Sequence, residues 1–312
     1  MKTILISGCA GFIGQNLVAS LIDSYRIIGI DNFYSSNKNT IKPFLEHKNF
    51  KFLNIDIIEL IEIEEKIDII YNLACPASPP IYQKNPLFTL DTNYMGTKNL
   101  LDLAKNNSSI FIQASTSEVY GDPEVNPQSE DYFGNVNTMG IRSCYDEGKR
   151  IAETLCYEYR RAYNVETRII RIFNTYGPGM EINDGRVISN FLVNTIKKKE
   201  LKVYGDGNQT RSFCFIDDLI RGLVLTINND FSYPINLGNN YEISLNHLIE
   251  ILKDKLEVPN VKYLKPVQDD PKIRRPDISR ANMILGWVPT ISIEDGIDKT
   301  YKYFESKLKY EN

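Results

Sequence analysis

The chain has 312 residues and a near balance of charge, 36 Lys+Arg against 40 Asp+Glu. It is long enough to bury a large core, and the balance argues against a nucleic-acid partner or an anionic membrane surface. Five cysteines without metal-ligand spacing and only two histidines argue against a disulfide framework or a metal site. No run reaches the ~20 apolar residues of a bilayer span, and Met1-Lys2-Thr3-Ile4-Leu5-Ile6 does not resemble a signal peptide, so a soluble, cytoplasmic protein is expected.

Residues 3–7 read as a buried parallel strand, followed by Gly8-x-x-Gly11-x-x-Gly14 and an apolar-periodic helix over about 12–24. A glycine turn between a first strand and a helix lets the backbone approach a pyrophosphate at the helix N-terminus. A second strand, 26–30, ends at Asp31, either a ribose-binding carboxylate or the start of a loop. A carboxylate there repels the extra phosphate of NADP, so the expected dinucleotide is NAD. Residues 50–54 and 67–74 give third and fourth strands, with Asp56-Ile57 placed to meet an adenine edge. The proline-rich run 75–80 is a rigid loop, either a substrate-facing lip or a structural turn.

A long helix over 86–106, with Leu90, Met95, Leu100, Leu101 and Leu103 in its apolar stripe, packs on the sheet and offers an outer face to a dimer. A fifth strand, 109–114, a helix over 143–163 and a sixth strand near 165–170 complete the alternation. The fold class expected is α/β, a Rossmann-type doubly wound parallel sheet with a smaller mixed C-terminal region. Residues 1–175, with returning segments near 205–238, form the dinucleotide domain; 176–204 and 239–312 form the second region. In that second region helices are expected over 187–199, 244–256 and 294–308, strands over 201–204, 213–216 and 261–264, and Asp217 as a helix cap.

Tyr145 and Lys149 lie four apart on the helix from 143, hence on one face. An ammonium near a phenol favours the phenolate, which makes a usable base. Thr116, just past the fifth strand, offers a hydroxyl to the substrate's reacting oxygen, and Glu118 a carboxylate beside it.

With Tyr145-x-x-x-Lys149, the glycine turn and Thr116 in place, the chain resembles the extended short-chain dehydrogenase/reductase family acting on nucleotide sugars. Within it the resemblance is to the UDP-glucuronate decarboxylases, carried by Leu73–Pro80, Ser115–Pro123, Arg142–Arg150, Asn174–Pro178, Asp184–Val187, Gly205–Phe213 and Arg274–Ile278. The resemblance implies NAD-mediated oxidation at C4 of the sugar, loss of CO2, protonation at C5 and re-reduction. Tyr145 acts as base, Lys149 holds the ribose, Thr116 orients O4, and Glu118 serves the decarboxylation phase through repulsion or proton relay.

The implied cofactor residues are Gly8, Gly11, Phe12, Ile13, Gly14, Asp31, Asn32, Phe33, Asp56, Ile57, Leu73, Ala74, Ala77, Asn93, Tyr145 and Lys149. The implied UDP-sugar contacts are Pro79, Tyr82, Thr116, Ser117, Glu118, Arg142, Tyr145, Asn174, Arg186, Val187, Asn190, Tyr204, Arg211 and Arg275. Of these, Arg211 and Arg275 suit the diphosphate. Arg142 and Arg186 serve either the sugar carboxylate or loop ordering, and Tyr204 either stacks on the base or joins the core. The partner expected besides substrate is a second copy, through helices near 86–106 and 143–163. The chain departs from the family pattern at Gly179, where arginine is usual, and at Thr138-Met139, where Pro-Ile is usual. A dehydratase would carry Asp-Glu where this chain has Ser117-Glu118.

Overall fold

The computed structural model describes residues 1–265 and 273–311. Apolar runs too short for helices become the central strands: β1 (Thr3–Ser7), β2 (Arg26–Ile30), β3 (Phe50–Leu53), β4 (Ile69–Asn72), β5 (Ile110–Thr116) and β6 (Thr167–Ile172). A seventh, Ile235–Leu237, joins β6 at the far edge. Counting from that strand the order runs β6, β5, β4, β1, β2, β3, and every pairing is parallel.

Alternation along β1 divides the core. Ile4 and Ile6 meet Leu17 and Val18 of the helix Phe12–Leu21 and Leu223 of the helix Ile216–Leu225. Leu5 faces the other way, toward Leu100, Leu101 and Cys156 of the opposite helical layer. The strand order reverses between β1 and β4, so their carboxyl ends border the crevice where a doubly wound sheet binds ligands.

A polar network fastens the far edge of the sheet to the C-terminal part. Arg171 pairs with Glu153 at 2.8 Å and donates to the Tyr120 hydroxyl. Tyr120 in turn donates to Asn236, whose side chain and backbone hold Gln128, Glu130 and Asp277. Beyond it, Leu201–Tyr204 pairs with Val261–Leu264, and Thr210–Ser212 with Glu242–Ser244.

The helix expected over 86–106 runs from Pro86 to Asn107 but contains a π turn at Thr92–Gly96. Its expected stripe splits: Leu100, Leu101 and Leu103 are buried, whereas Leu90 and Met95 face outward. The helices from 12 and 187 stop at Leu21 and Ile196, and the strand expected over 213–216 ends at Phe215. Asp217 does not cap the next helix; it lies in the first turn, where a carboxylate still favours the helix N-terminus. The deeper anchor is Asp218, which accepts from the backbone N–H groups of Thr290 and Ile291. A short helix, Ser279–Leu285, adds to the elements read from sequence.

Position 179 explains how this chain does without the usual arginine. Gly179 sits at φ +100, its carbonyl accepts from Gln15, and a Cβ there would come 2.7 Å from Asn16. The loop is therefore pinned to the helix Phe12–Leu21 by the Gln15 and Asn16 side-chain amides donating to its carbonyls, in a conformation that disfavours a side chain at 179.

Candidate active site

The crevice at the strand reversal is built by close approach. Gly8, at φ +70, comes against the backbone of Ala74, and a Cβ on Gly14 would stand 2.1 Å from the Gly8 carbonyl oxygen. The following helix begins at Gly11 without a side-chain cap, so its first N–H groups stay available to an anion. Asp31 ends β2 beside it, accepting from the Ala10 and Phe33 N–H groups and the Ser36 hydroxyl. Gly8, Gly11, Asp31, Asn32, Asp56, Ile57, Leu73 and Ala74 line this crevice. An open helix N-terminus, a glycine cradle and a fixed carboxylate fit a dinucleotide diphosphate and ribose.

Sequence reasoning missed other wall residues, Tyr34, Ser35, Ser36, Phe88 and Thr92, which reach the crevice only through tertiary packing. Several expected residues lie behind the wall. Phe33 packs on Phe52, Ile13 packs on the core, and Phe12 lies under the Arg186 guanidinium. Asn93 is turned to Cys75 and the Thr89 carbonyl, where it also leaves no room for a side chain at Gly148. Its work here is helix packing. Ala77 is exposed on the proline loop.

The helix Ser143–Tyr163 carries Tyr145 and Lys149 into the site, both buried. Tyr145 stacks on Tyr82, with ring centroids 5.0 Å apart and planes 9° apart. The Lys149 ammonium donates to the Ala114 carbonyl at 2.9 Å and lies 5.9 Å from the Tyr145 ring centre. Burial pushes the Tyr145 phenol up, and its hydrogen bond with Thr116 draws it back. Lys149 alone therefore does not make a phenolate of it.

Glu118 follows on the turn after β5, where its N–H donates to the Thr116 hydroxyl. Arg142 reaches it at 2.5 Å and Arg274 at 3.1 Å. Burial would raise Glu118, but Arg274 and Arg142 outweigh it and hold the carboxyl below its ordinary value. Glu118, Arg142 and Asp146 lie on the wall of a cavity of about 1590 Å³ whose far side carries Tyr204 and Thr210. Of the two cations paired with Glu118, Arg142 is among the expected substrate contacts and Arg274 is not. Arg274, adjacent to the residue singled out, is the buried partner of Glu118 and also donates to the Ser117 carbonyl. The Arg275 carbonyl accepts from the Gln128 N–H and the Arg275 N–H donates to the Gln128 side-chain Oε1, while its Nε is buried without a partner among the described residues. Arg211 acts on Glu118 and Arg274 electrostatically from nearby.

The remaining expected contacts divide. Tyr82 is buried, its hydroxyl without a hydrogen-bond partner among the described residues, and it feels Arg142, Glu118 and Asp146. Arg186 is engaged by Asp184 at 2.5 Å, which orders the loop before the helix Val187–Ile196. Asn190 donates to the Gly185 carbonyl, Pro79 opens a short helix, and the Asn174 carbonyl accepts from Cys214. Sequence reasoning missed Asp146, Arg274 and the buried Ser78 hydroxyl, which has no hydrogen-bond partner among the described residues.

A dinucleotide crevice of this topology joined to a Tyr–x–x–x–Lys helix defines the short-chain dehydrogenase/reductase class. The family model for GDP-mannose 4,6 dehydratase matches residues 5–300. The UDP-glucuronic acid decarboxylase 1 of Xenopus tropicalis is 47% identical over 99% of this chain and 74% of its own length. The UDP-glucuronic acid decarboxylase 6 of Arabidopsis thaliana is 44% identical over 98% of this chain and 89% of its own. Among solved structures, the UDP-glucuronic acid 4-epimerase of Bacillus cereus, in complex with UDP-glucuronic acid and NAD, superposes with a TM-score of 0.88. That protein is 30% identical, over 98% of this chain and 99% of its own. The chain belongs to the UDP-glucuronic acid decarboxylase family, within the NAD-dependent epimerase/dehydratase superfamily.

Proposed function

We propose that this enzyme, an NAD-dependent modifier of UDP-sugars, converts UDP-glucuronate to UDP-xylose and CO2. The observation that carries this reading is the part-buried carboxylate Glu118 held between Arg142 and Arg274, hydrogen-bonded through its N–H to Thr116 and near enough to Tyr145 to act on its phenol. Family membership and the Ser117-Glu118 sequence support it.

The glycine turn and the open helix start would hold the NAD diphosphate, and Asp31 the adenosine ribose. When bound, NAD supplies the hydride acceptor and later the donor. Tyr145 takes the proton of O4 and finally returns it, with Thr116 orienting that oxygen and Lys149 placed for ribose hydroxyls. A ketone at C4 makes the sugar a β-keto acid, so the electrons of the C5–C6 bond pass into the ketone as CO2 leaves. Glu118, fixed by Arg142 and Arg274, presents a carboxylate on the cavity wall beside Thr116. Arg211 and Arg275 are the proposed diphosphate contacts.

The test is incubation of the purified enzyme with NAD and UDP-glucuronate. Release of CO2 with formation of a UDP-pentose is expected. A UDP-galacturonate product without CO2 would make it a 4-epimerase instead.

We also propose that the working form is a dimer. Leu87, Leu90 and Tyr94 share one outward face of the helical run from Pro86, and Ile151 and Tyr157 are exposed on the neighbouring helix Ser143–Tyr163. A two-fold copy covers this apolar face with itself. Light scattering behind size exclusion should give twice 35.8 kDa. Leu87→Glu combined with Tyr94→Glu should give the monomer mass, and a monomeric wild type would overturn the assignment.

A further inference from the structure

The proposed decarboxylation consumes a proton that its oxidation and reduction do not provide. Tyr145 takes the O4 proton and gives the same proton back to O4. Between those events the C5–C6 bond breaks, its electron pair enters the C4 ketone, and CO2 departs. A C5–H bond must then form. Each turnover therefore takes up one proton beyond the one Tyr145 cycles, and some other group must hold it.

The groups at the reacting end narrow the choice. Glu118 is kept ionised by Arg274 and Arg142. The Lys149 ammonium is engaged by the Ala114 carbonyl. Asp146 is different. It follows Tyr145 on the helix, is 7% exposed, and lines the cavity with Glu118 and Arg142. Its Oδ1 is buried with no hydrogen-bond partner among the described residues. Its Oδ2 stands 3.9 Å from the Arg142 Nε, outside hydrogen-bond range, because that guanidinium is drawn to Glu118 at 2.5 Å.

Every charged neighbour can be placed. Burial first, and then the Glu118 carboxylate, push Asp146 up to about 7; Arg142 and Arg274 pull it down, and Glu147 on the same helix adds to the rise. Tyr82 and Cys144 also face it, and burial raises both, so they remain neutral near pH 7. Two carboxylates this close, in this much burial, share the site best when one keeps its proton. The Glu118 pairing decides which one.

We infer that Asp146 is the proton source for C5, a buried carboxylic acid on the cavity wall that yields its proton to the enolate after CO2 has left. It is reprotonated from solvent between turnovers. The charges balance: the negative charge of the substrate carboxylate passes to the enolate as CO2 departs, then to Asp146 as the C5–H bond forms. With Asp146 neutral, Arg142 and Arg274 outnumber Glu118 by one, which favours binding of the uronate carboxylate. This assignment rests on the decarboxylase reading.

The test compares wild type, Asp146→Asn and Asp146→Glu for CO2 release from UDP-glucuronate across neutral and alkaline pH. Because the acid form is the active one, wild-type kcat should fall about tenfold per pH unit once Asp146 has ionised. Asp146→Asn should lower kcat about 10²-fold or more and abolish that alkaline limb, and Asp146→Glu should restore both in part. A merely structural role would lower the rate and leave the limb in place, and that result, or Asp146→Asn turnover within a few-fold of wild type, overturns the inference. Should Asp146→Asn fail to fold, carboxyl carbon NMR of the wild type decides: an aspartate titrating near neutral pH supports the inference, and none doing so overturns it. Absence of CO2 release by the wild type itself would instead remove the decarboxylase reading.

Discussion

Tyr145→Phe is expected to lose about 10²–10⁴-fold in turnover of UDP-glucuronate, the size of a positioned acid–base contribution. The substitution removes one hydroxyl from a ring that is 7% exposed and stacked on Tyr82, so the stack survives. Thr116 loses its contact with the phenol but keeps the bond from the Glu118 N–H. Stability should change by no more than about 1.5 kcal/mol, the net worth of one hydrogen bond. Thermal melting and NAD titration of the variant, alongside kcat, separate lost chemistry from lost structure. A variant still turning over within tenfold of wild type would remove Tyr145 as the base. Lys149→Ala is not an equivalent test, because it also removes one of the two side-chain donors to the buried Ala114 carbonyl.

Arg274→Ala is expected to have the largest effect on the folded state, a loss of about 3–5 kcal/mol, as when one partner is removed from a buried ion pair. Arg274 is 1% exposed and joins two distant segments, its own and the Ser117-Glu118 turn, through the Ser117 carbonyl and the Glu118 carboxylate. Without it Glu118 keeps only Arg142 and the weaker influence of Arg211 against burial, so its carboxyl titrates higher. The pH dependence has a defined sign. A depressed folded pKa stabilises above the unfolded value, about 4.3 for glutamate, and that stabilisation is lost as pH falls through the folded value. The gap between wild type and Arg274→Ala in urea unfolding should therefore be widest near neutral pH and narrow under acid conditions. An unchanged gap would show that the ion pair is not what Arg274 contributes.

The sequence carried the sheet well because its strands are buried on both faces and read as continuous apolar runs. Gly8–Gly14 and the helix from Ser143 were legible for the same reason: their chemistry sits inside one local element. What stayed hidden depends on distant segments meeting. Ile235–Leu237 is three residues between Pro234 and Gly238, too short for any period to show. Arg274 and Arg275 are adjacent and of one type, and only the path of the chain past Gln128 decides which is buried at Glu118. Asp146 reads as an ordinary acid in a first helical turn. Its exceptional environment arises because Glu118 and Arg142 meet beside it.

The pairing of Glu118 with Arg274, 156 positions apart, has a consequence for a chain made from its N-terminus. Strands β1 to β6 and the Tyr–Lys helix are complete by Ile172, whereas one face of β1 still waits for Leu223 of the helix Ile216–Leu225. Until the segment around Arg274 emerges, Glu118 lacks the buried cation that meets it at 3.1 Å. Activity thus arrives last, as a property of the finished molecule.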